Sequence, residues 1–274
     1  MAILTVSRQV ASLGDEICQA VSEKIGYKFI TRRDIERRII EMGFPEEKFR
    51  TFDEKKTNFF ASLSKSRDEY LDYLQTAILE AAQEDCVLIG RGANIVLKDL
   101  ANHISLKFIC DKKIRTERLM SEHGWTEKDA LRRIHESDEN RSWFLKNFFN
   151  VSQNDDTIYH AVLNTGLFDI NTVVECVSSI IKNSITTEAE ALGKEKAREL
   201  LTSQKVVNTL ILKNKLNILF LKAERTGENT IILHGVCEEP DSVEKAIKIL
   251  ESDGEFTAYK FKSAISVSKE RRIH

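Results

Sequence analysis

The chain has few residues of the kind that interrupt regular structure. It contains two prolines, Pro45 and Pro240, and eleven glycines among 274 residues. Proline removes a backbone donor and glycine favours turns, so their scarcity predicts long uninterrupted helices and few tight turns. No apolar run approaches the ~20 residues of a membrane span, and the first residues become polar too soon for a signal peptide. We therefore expect a cytoplasmic protein with no membrane span.

An excess of charge of either sign is also missing. The chain has 41 basic and 43 acidic residues and a net charge of -2. This balance lacks the basic surplus of nucleic-acid-binding proteins, so we expect no nucleic acid polymer as a partner and only a local phosphate-binding surface. Cysteine is sparse, and the six histidines show no ligand spacing. The five cysteines are far apart and mostly flanked by apolar residues, which favours reduced core cysteines over disulfides or metal ligands.

The amino-terminal pattern is that of an α/β protein. An apolar run at residues 2–6 predicts a strand, a polar loop follows at 7–14, and apolar spacing at 15–25 predicts a helix. Further strands are expected at 29–30, 86–89, 104–110 and 162–164, and helices at 32–42, 67–83, 112–123 and 170–181, with one more helix starting at 126–134. This alternation predicts a parallel sheet with helices on both faces and a ligand site beyond the carboxyl ends of the strands.

The pattern changes after residue 184. A charged helical stretch at 186–214 is followed by strands at 216–222 and 230–236, a helix at 242–250 and a strand at 259–267. This α-β-β-α-β order predicts a small α+β domain. We divide the chain into a larger domain at 1–183, a helical linker at 184–205 and the small domain at 206–274.

The first strand–loop–helix unit is where a phosphate cradle is expected, because loop amides and a helix amino end offer unpaired N–H donors. The standard pattern GxxxxGK[ST] is missing. The loop instead reads Ser-Arg-Gln-Val-Ala-Ser-Leu-Gly-Asp-Glu-Ile, residues 7–17. Taken alone, it also fits an ordinary turn with Asp15 at the helix start. A carboxylate there suits the helix dipole and repels phosphate.

Four ordered motifs resemble the cytidylate-kinase-like family over residues 1 to about 182. They are the loop just described, Val-Leu-Ile-Gly-Arg-Gly at 87–92, a lid-like region running from 112–120 to Ser-Asp-Glu-Asn-Arg at 137–141, and Val-Leu-Asn-Thr at 162–165. The resemblance implies a P-loop kinase-type parallel sheet, with ATP as phosphoryl donor, Mg²⁺ as cofactor and a nucleoside monophosphate such as CMP or dCMP as acceptor.

The resemblance also implies roles for individual residues. The lid arginines 115, 118, 132, 133 and 141 are candidates, and the set we assign to catalysis is Arg141, Arg132 and Arg115. The donor phosphates are assigned to Arg8, Ser12, Gly14, Asp15 and Glu16. The acceptor nucleotide is assigned to Arg32, Gly90 and Arg91. The metal shell is assigned, through water, to Asp111.

Other readings of these residues stay open. Arg91 between two glycines also fits a solvent-exposed turn, and each lid arginine also fits a solvated helix face. Asp111 is equally consistent with a helix amino-terminal cap. The aromatic residues at 143–144 and 148–149 favour a core or interface role over base stacking.

The loop departs from the family pattern. Ala11 and Leu13 stand in place of glycines, Asp15 in place of a basic residue, and Thr31 in place of an aspartate. The sequence therefore also allows a nucleotide sensor with weak or no turnover, or a structural protein whose loop is merely a turn. The small domain resembles a BON-type module. It implies a regulatory role, with a possible homodimer or regulatory partner.

Overall fold

The computed structural model describes residues 2–53 and 63–267. The larger half contains β1 (Ile3–Arg8), α1 (Gly14–Ile25), β2 (Lys28–Ile30), α2 (Arg32–Glu41), α3 (Glu46–Asp53), α4 (Leu63–Ala81), β3 (Cys86–Ile89), α5 (Ala93–Val96), β4 (His103–Ile109), α6 (Lys112–His123), α7 (Glu127–Phe149), β5 (Ala161–Asn164) and α8 (Ile170–Ser184). The remaining elements are α9 (Thr187–Asn208), β6 (Leu219–Thr226), β7 (Thr230–Cys237), α10 (Asp241–Ser252) and β8 (Lys260–Val267).

The larger sheet has five strands in the order β2-β3-β1-β4-β5, and every adjacent pair is parallel. Central strand β1 pairs Ile3 with Cys86 on one side and with His103 on the other. After β1 the chain forms β2 and β3 on one side of it and then β4 and β5 on the other, so β1 is the point at which strand order reverses. Ligands of open parallel sheets bind beyond the carboxyl ends of the strands at this point.

Apolar residues cover both faces of this sheet. One core places Ile3 and Leu88 against α2, α4 and the end of α7, and the other places Leu4 and Val87 against α1 and α8. A strand buried on both faces needs apolar side chains at consecutive positions, as seen in the fully buried run Cys86–Ile89. The expected α/β sheet with helices on both faces is therefore confirmed.

The smaller sheet has three strands in the order β6-β7-β8. β6 is antiparallel to β7, and β8 is parallel to β7. Ile231 and Leu233 of β7 are fully buried with Ala246 and Leu250 of α10. The expected small α+β domain is therefore present.

Helix α9 contributes to the cores of both halves. Its Ala197 packs in the core of the larger sheet, and its Val206 packs in the core of the smaller one. On α4, Asp72 accepts a hydrogen bond from Gln204 at 3.2 Å, and Asn208 donates to Thr76 at 2.7 Å. These contacts fix α9 against the larger sheet's helical layer.

Several sequence expectations change in detail. Helix α7, whose start was expected at 126–134, runs to Phe149, and α3 was not expected. Four of the five cysteines are buried as expected, but the expectation is wrong for Cys176, which is exposed. Within the described residues, no helix combines the length and apolarity needed to cross a membrane.

Candidate active site

The loop between β1 and α1 adopts a backbone that glycine would favour. Ala11 and Leu13 both have φ of 58°, in the left-handed region. For residues with a Cβ atom this conformation costs about 1–2 kcal/mol each. These are the two positions at which the sequence departs from the family's glycines. The cradle shape is therefore kept without them.

Hydrogen bonds from outside the loop hold its carbonyl groups. Arg115 Nε donates to Val10 O at 2.8 Å, and Arg118 Nη1 donates to Ala11 O at 3.0 Å. Thr165 Oγ1 donates to Ser12 O at 2.7 Å, and Arg118 Nη2 donates to Thr165 O at 2.8 Å. These bonds offset the strain at Ala11 and Leu13. Arg115 and Arg118, considered as lid arginines, thus lie beneath the loop.

Arg8 and Asp15 form an ion pair across the loop. Arg8 Nε and Nη2 lie 3.3 and 3.2 Å from the two carboxylate oxygens of Asp15. The Arg8 side chain is 16% exposed and that of Asp15 is 59% exposed. Gly14 is required here, because a Cβ at this position would lie 2.6 Å from Arg8 Cγ. Asp15 therefore offsets the positive charge of Arg8.

A cavity of about 400 Å³ opens beside Arg8 at the carboxyl ends of β1 and β3. This volume is typical of a site for a small organic ligand. Gly90 and Phe144 form part of its wall. Its lining contains the arginines Arg8, Arg32, Arg91, Arg133 and Arg141. Such a concentration of guanidinium groups favours an anionic ligand.

Arg91 is held rigidly in this wall. It has φ of 55°, is 8% exposed, and forms an ion pair with Glu36. Its guanidinium carbon lies 5.0 Å from the centre of the Phe144 ring. Glu36 also pairs with Arg32 Nε. The alternative of a solvent-exposed turn arginine is thus excluded for Arg91, and Glu36 is a site residue that the sequence did not reveal.

Arg141 lies between other cations at the cavity. Its Nη1 donates to Ser137 Oγ at 2.6 Å and lies 3.7 Å from Asp138 Oδ1. Burial first, and then the charge of Arg8, lower the pKa of Arg141 to about 10. The guanidinium remains charged at neutral pH, and a bound anion would relieve this repulsion.

The helix α7 brings Arg133 to the cavity and leaves Arg132 outside it. Arg132 is 68% exposed and pairs with Asp129 at 3.0 Å, on the outer face of α7. Arg133, Ser137 and Arg141 are four residues apart, share one helix face and line the cavity. The placement of Arg132 therefore differs from our expectation, because Arg132 lies nine residues before Arg141 and so on the opposite side of the helix.

The remaining candidates are dispersed around the loop. Ser12 is fully buried, and its hydroxyl donates to Gln9 O at 2.8 Å. Glu16 is exposed in the first turn of α1. Arg115 is 3% exposed and donates through Nη2 to both oxygens of Asp138 at 2.9 Å. Asp111 caps α6, its Oδ1 accepting from Lys113 N at 2.8 Å.

The aromatic residues after the lid arginines belong to the core. Phe144 and Phe148 are buried, and Trp143 and Phe149 pack against the same cluster. A Cβ at Gly92 would lie 2.3 Å from Phe149 Cε2, so the glycine permits this close packing. The expected core role is therefore confirmed, with Phe144 also facing the cavity.

Known proteins resemble the larger half of the chain. A model of the cytidylate kinase-like family matches residues 3–167, more than half of the sequence. Cytidylate kinase of Methanocaldococcus jannaschii is 26% identical over 184 residues, covering 66% of this chain and 98% of the relative. Cytidylate kinase of Pyrococcus furiosus is 28% identical, covering 65% and 88%.

A solved structure agrees with the fold. An uncharacterized protein of Eubacterium ventriosum superposes with a TM-score of 0.54 at 20% identity, over 66% of this chain and 98% of that one. Residues 168–274, including the small domain, lie beyond the family model. With the strand order, the cradle-shaped loop and the family match in agreement, the chain belongs to the cytidylate kinase-like family.

Proposed function

We propose that the protein is a nucleoside monophosphate kinase that transfers the terminal phosphoryl group of ATP to CMP or dCMP. The observation that carries this proposal is that the cavity adjoins the loop between β1 and α1. The arginine-lined cavity includes Ser7 and Arg8 at the start of the loop, and Arg8 in turn contacts Gly14 and Asp15 at the loop's end. The cytidylate kinases among the relatives supply the choice of acceptor.

The donor phosphates would bind to the amides of residues 10–17. The carbonyl groups of Val10, Ala11 and Ser12 are already engaged. In a planar trans peptide the N–H points opposite to the C=O, so the amides of Ala11 and Leu13 face away from these anchors. Arg8 would add charge once it leaves Asp15, with Ser12, Gly14 and Glu16 shaping the cradle.

The acceptor phosphate would bind to Arg91 and Arg32. Arg91 is rigid, and its planar fork matches a phosphate. Gly90 lies directly before it with φ of 86°, a conformation that favours glycine. Glu36 would orient both arginines while reducing their net charge.

Arg141 would neutralise the charge that develops on the transferred group, with Arg133 beside it. We propose Arg133 for the role that we had expected of Arg132, because Arg133 lines the cavity. Arg115 would act through the loop and Asp138 rather than on the nucleotide. Positioning and charge neutralisation carry most of the catalysis in phosphoryl transfer, so no general base is required.

Magnesium would enter with ATP. Among the described residues there is no group of three or more histidine, cysteine, aspartate or glutamate side chains that could hold a metal ion. This fits Mg²⁺, which commonly keeps water ligands and binds through substrate phosphates and one or two carboxylates. Asp111 would bind a shell water through Oδ2. The ion would neutralise charge on the β- and γ-phosphates.

The Arg8–Asp15 pair favours one rival, a nucleotide sensor with little or no turnover. In that case the small domain, which we propose to be a BON-like module, would pass the signal to a partner or a second copy. Calorimetric titration with ATP and CMP, followed by coupled detection of ADP, separates the two functions. Binding of both nucleotides with ADP release supports the kinase. Binding of both without release would sink it and favour the sensor.

A further inference from the structure

Asn94 is a buried polar residue in the cavity wall to which the family motifs give no role. It is the second residue of α5, just after the turn at Gly90, Arg91 and Gly92, which all have positive φ. The residue is 7% exposed and lines the cavity. Its Nδ2 is shielded from solvent and has no hydrogen-bond partner within residues 2–53 and 63–267.

An unpaired donor in such a place needs a reason. Buried amide groups almost always have a partner, and leaving one unsatisfied costs stability. The surroundings show what partner is missing. The neighbouring arginines supply the charge that a phosphate requires, whereas a carboxamide is neutral. Its natural partner is a neutral acceptor such as a ring nitrogen or a carbonyl oxygen.

We propose that Asn94 is a specificity-determining residue, whose carboxamide turns toward the cavity when the acceptor binds and donates through Nδ2 to the ring N3 or the O2 carbonyl of a cytosine base. This proposal rests on the proposed function and names the residue that reads the acceptor. The base would lie between Asn94 and the Phe144 side of the cavity, with its phosphate toward Arg91. Binding of the base would satisfy a donor that the free protein leaves unpaired.

The test uses the full chain with Asn94→Leu, which keeps the branched shape and removes the donor. Calorimetry with CMP should show affinity reduced by about tenfold to a hundredfold, because the base would face an apolar group. ATP affinity should be unchanged. The melting temperature should equal or exceed that of the wild type, since an unsatisfied buried donor is gone. A purely structural asparagine would give the opposite shift in stability.

Two controls make the test specific. If the leucine variant does not fold, the same affinity measurement is made with Asn94→Ala. Asn183→Leu, at an exposed position of α8, should leave CMP affinity unchanged. Ribose 5-phosphate, which has the sugar and phosphate without the base, should lose no affinity in the Asn94 variants.

The outcomes separate the two proposals. Wild-type binding of CMP with equal binding by a folded Asn94 variant would overturn the role of Asn94 and leave the kinase standing. An equal loss of affinity for CMP and ribose 5-phosphate would show that Asn94 contacts the sugar or the phosphate. That result would also overturn recognition of the base by Asn94. Failure of the wild type to bind any nucleoside monophosphate would overturn both.

Discussion

Replacing Asp15 tests whether the loop binds the donor phosphates. In the structure this carboxylate lies 3.2 Å from Arg8, yet its side chain is 59% exposed. Asp15→Asn removes one negative charge and releases Arg8. For a phosphate charge ~6 Å away at an effective dielectric constant of ~40, the gain is about 1.4 kcal/mol per unit charge. Solvent screening at so exposed a site reduces this to about 1 kcal/mol, or roughly fivefold in ATP affinity.

Asp15→Lys changes the local charge by two units and should improve ATP affinity by roughly tenfold to fiftyfold. Both gains should shrink as ionic strength rises, because salt screens exposed charges. The stability lost with the ion pair should be below about 1 kcal/mol, as for other exposed pairs. Isothermal titration calorimetry at low and high salt measures the affinities, and denaturant unfolding measures the stability.

The matched control is Asp241→Asn, an acidic residue in the first turn of α10. This substitution changes the net charge by the same amount as Asp15→Asn but lies in the small domain, so ATP affinity should be unchanged. If Asp15→Asn and Asp15→Lys bind ATP as the wild type does, residue 15 does not face the phosphates. The assignment of this loop to the donor would then be refuted.

Three further changes test the site and its scaffold. Arg141→Lys should lower kcat for CMP phosphorylation by about a hundredfold, whereas Arg132→Lys should leave it unchanged; equal losses would contradict the cavity assignment. Gly193→Ala should cost about 1–3 kcal/mol of unfolding free energy, because the new Cβ would lie 1.9 Å from Asn102 Oδ1. Its control is Gly254→Ala, which meets no atom within 4 Å and should stay within about 0.5 kcal/mol. Burial raises the pKa of Asp72 to about 6. Between about pH 4 and 6 the folded state therefore keeps a proton on Asp72 that the unfolded state has released. The free energy of unfolding should fall as pH rises through this range. Asp72→Asn should remove that dependence and stabilise the protein at pH 7 by about 1–2 kcal/mol; an unchanged pH profile in denaturant unfolding would show that Asp72 is not the responsible group.

The sequence predicted the sheet well because its strands are short, buried on both faces and bounded by polar residues. Strand Cys86–Ile89 matches its expected limits, as does the helix Lys112–His123. The sequence predicted the start of α7 but not its end, because the apolar spacing there is interrupted by a run of charged residues. That helix continues because Phe144, Leu145 and Phe148 are buried against the core, a tertiary effect that local pattern does not contain.

The candidate site was predictable to the extent that its residues follow strand ends. Gly90 and Arg91 line the cavity for this reason. Glu36 and Asn94 escaped notice because each lies within a helix, and only the packing of that helix brings Asn94 to the cavity and Glu36 to Arg91 and Arg32 of its wall. Arg133 carried a usable signal, since it is eight residues before Arg141 and therefore on the same face of a helix.

The arginines that bind the carbonyl groups of the loop between β1 and α1 have a consequence for how such loops change during evolution. Glycine makes a left-handed turn accessible, whereas Arg115, Arg118 and Thr165 select that turn by binding the carbonyl groups next to it. The strain of the loop backbone is compensated once, when the chain folds, and ligand binding does not have to compensate for it again. A loop whose carbonyl groups are hydrogen-bonded in this way tolerates Ala11 and Leu13 while keeping the same backbone conformation. Counting glycines in a sequence therefore underestimates how many chains can form a cradle.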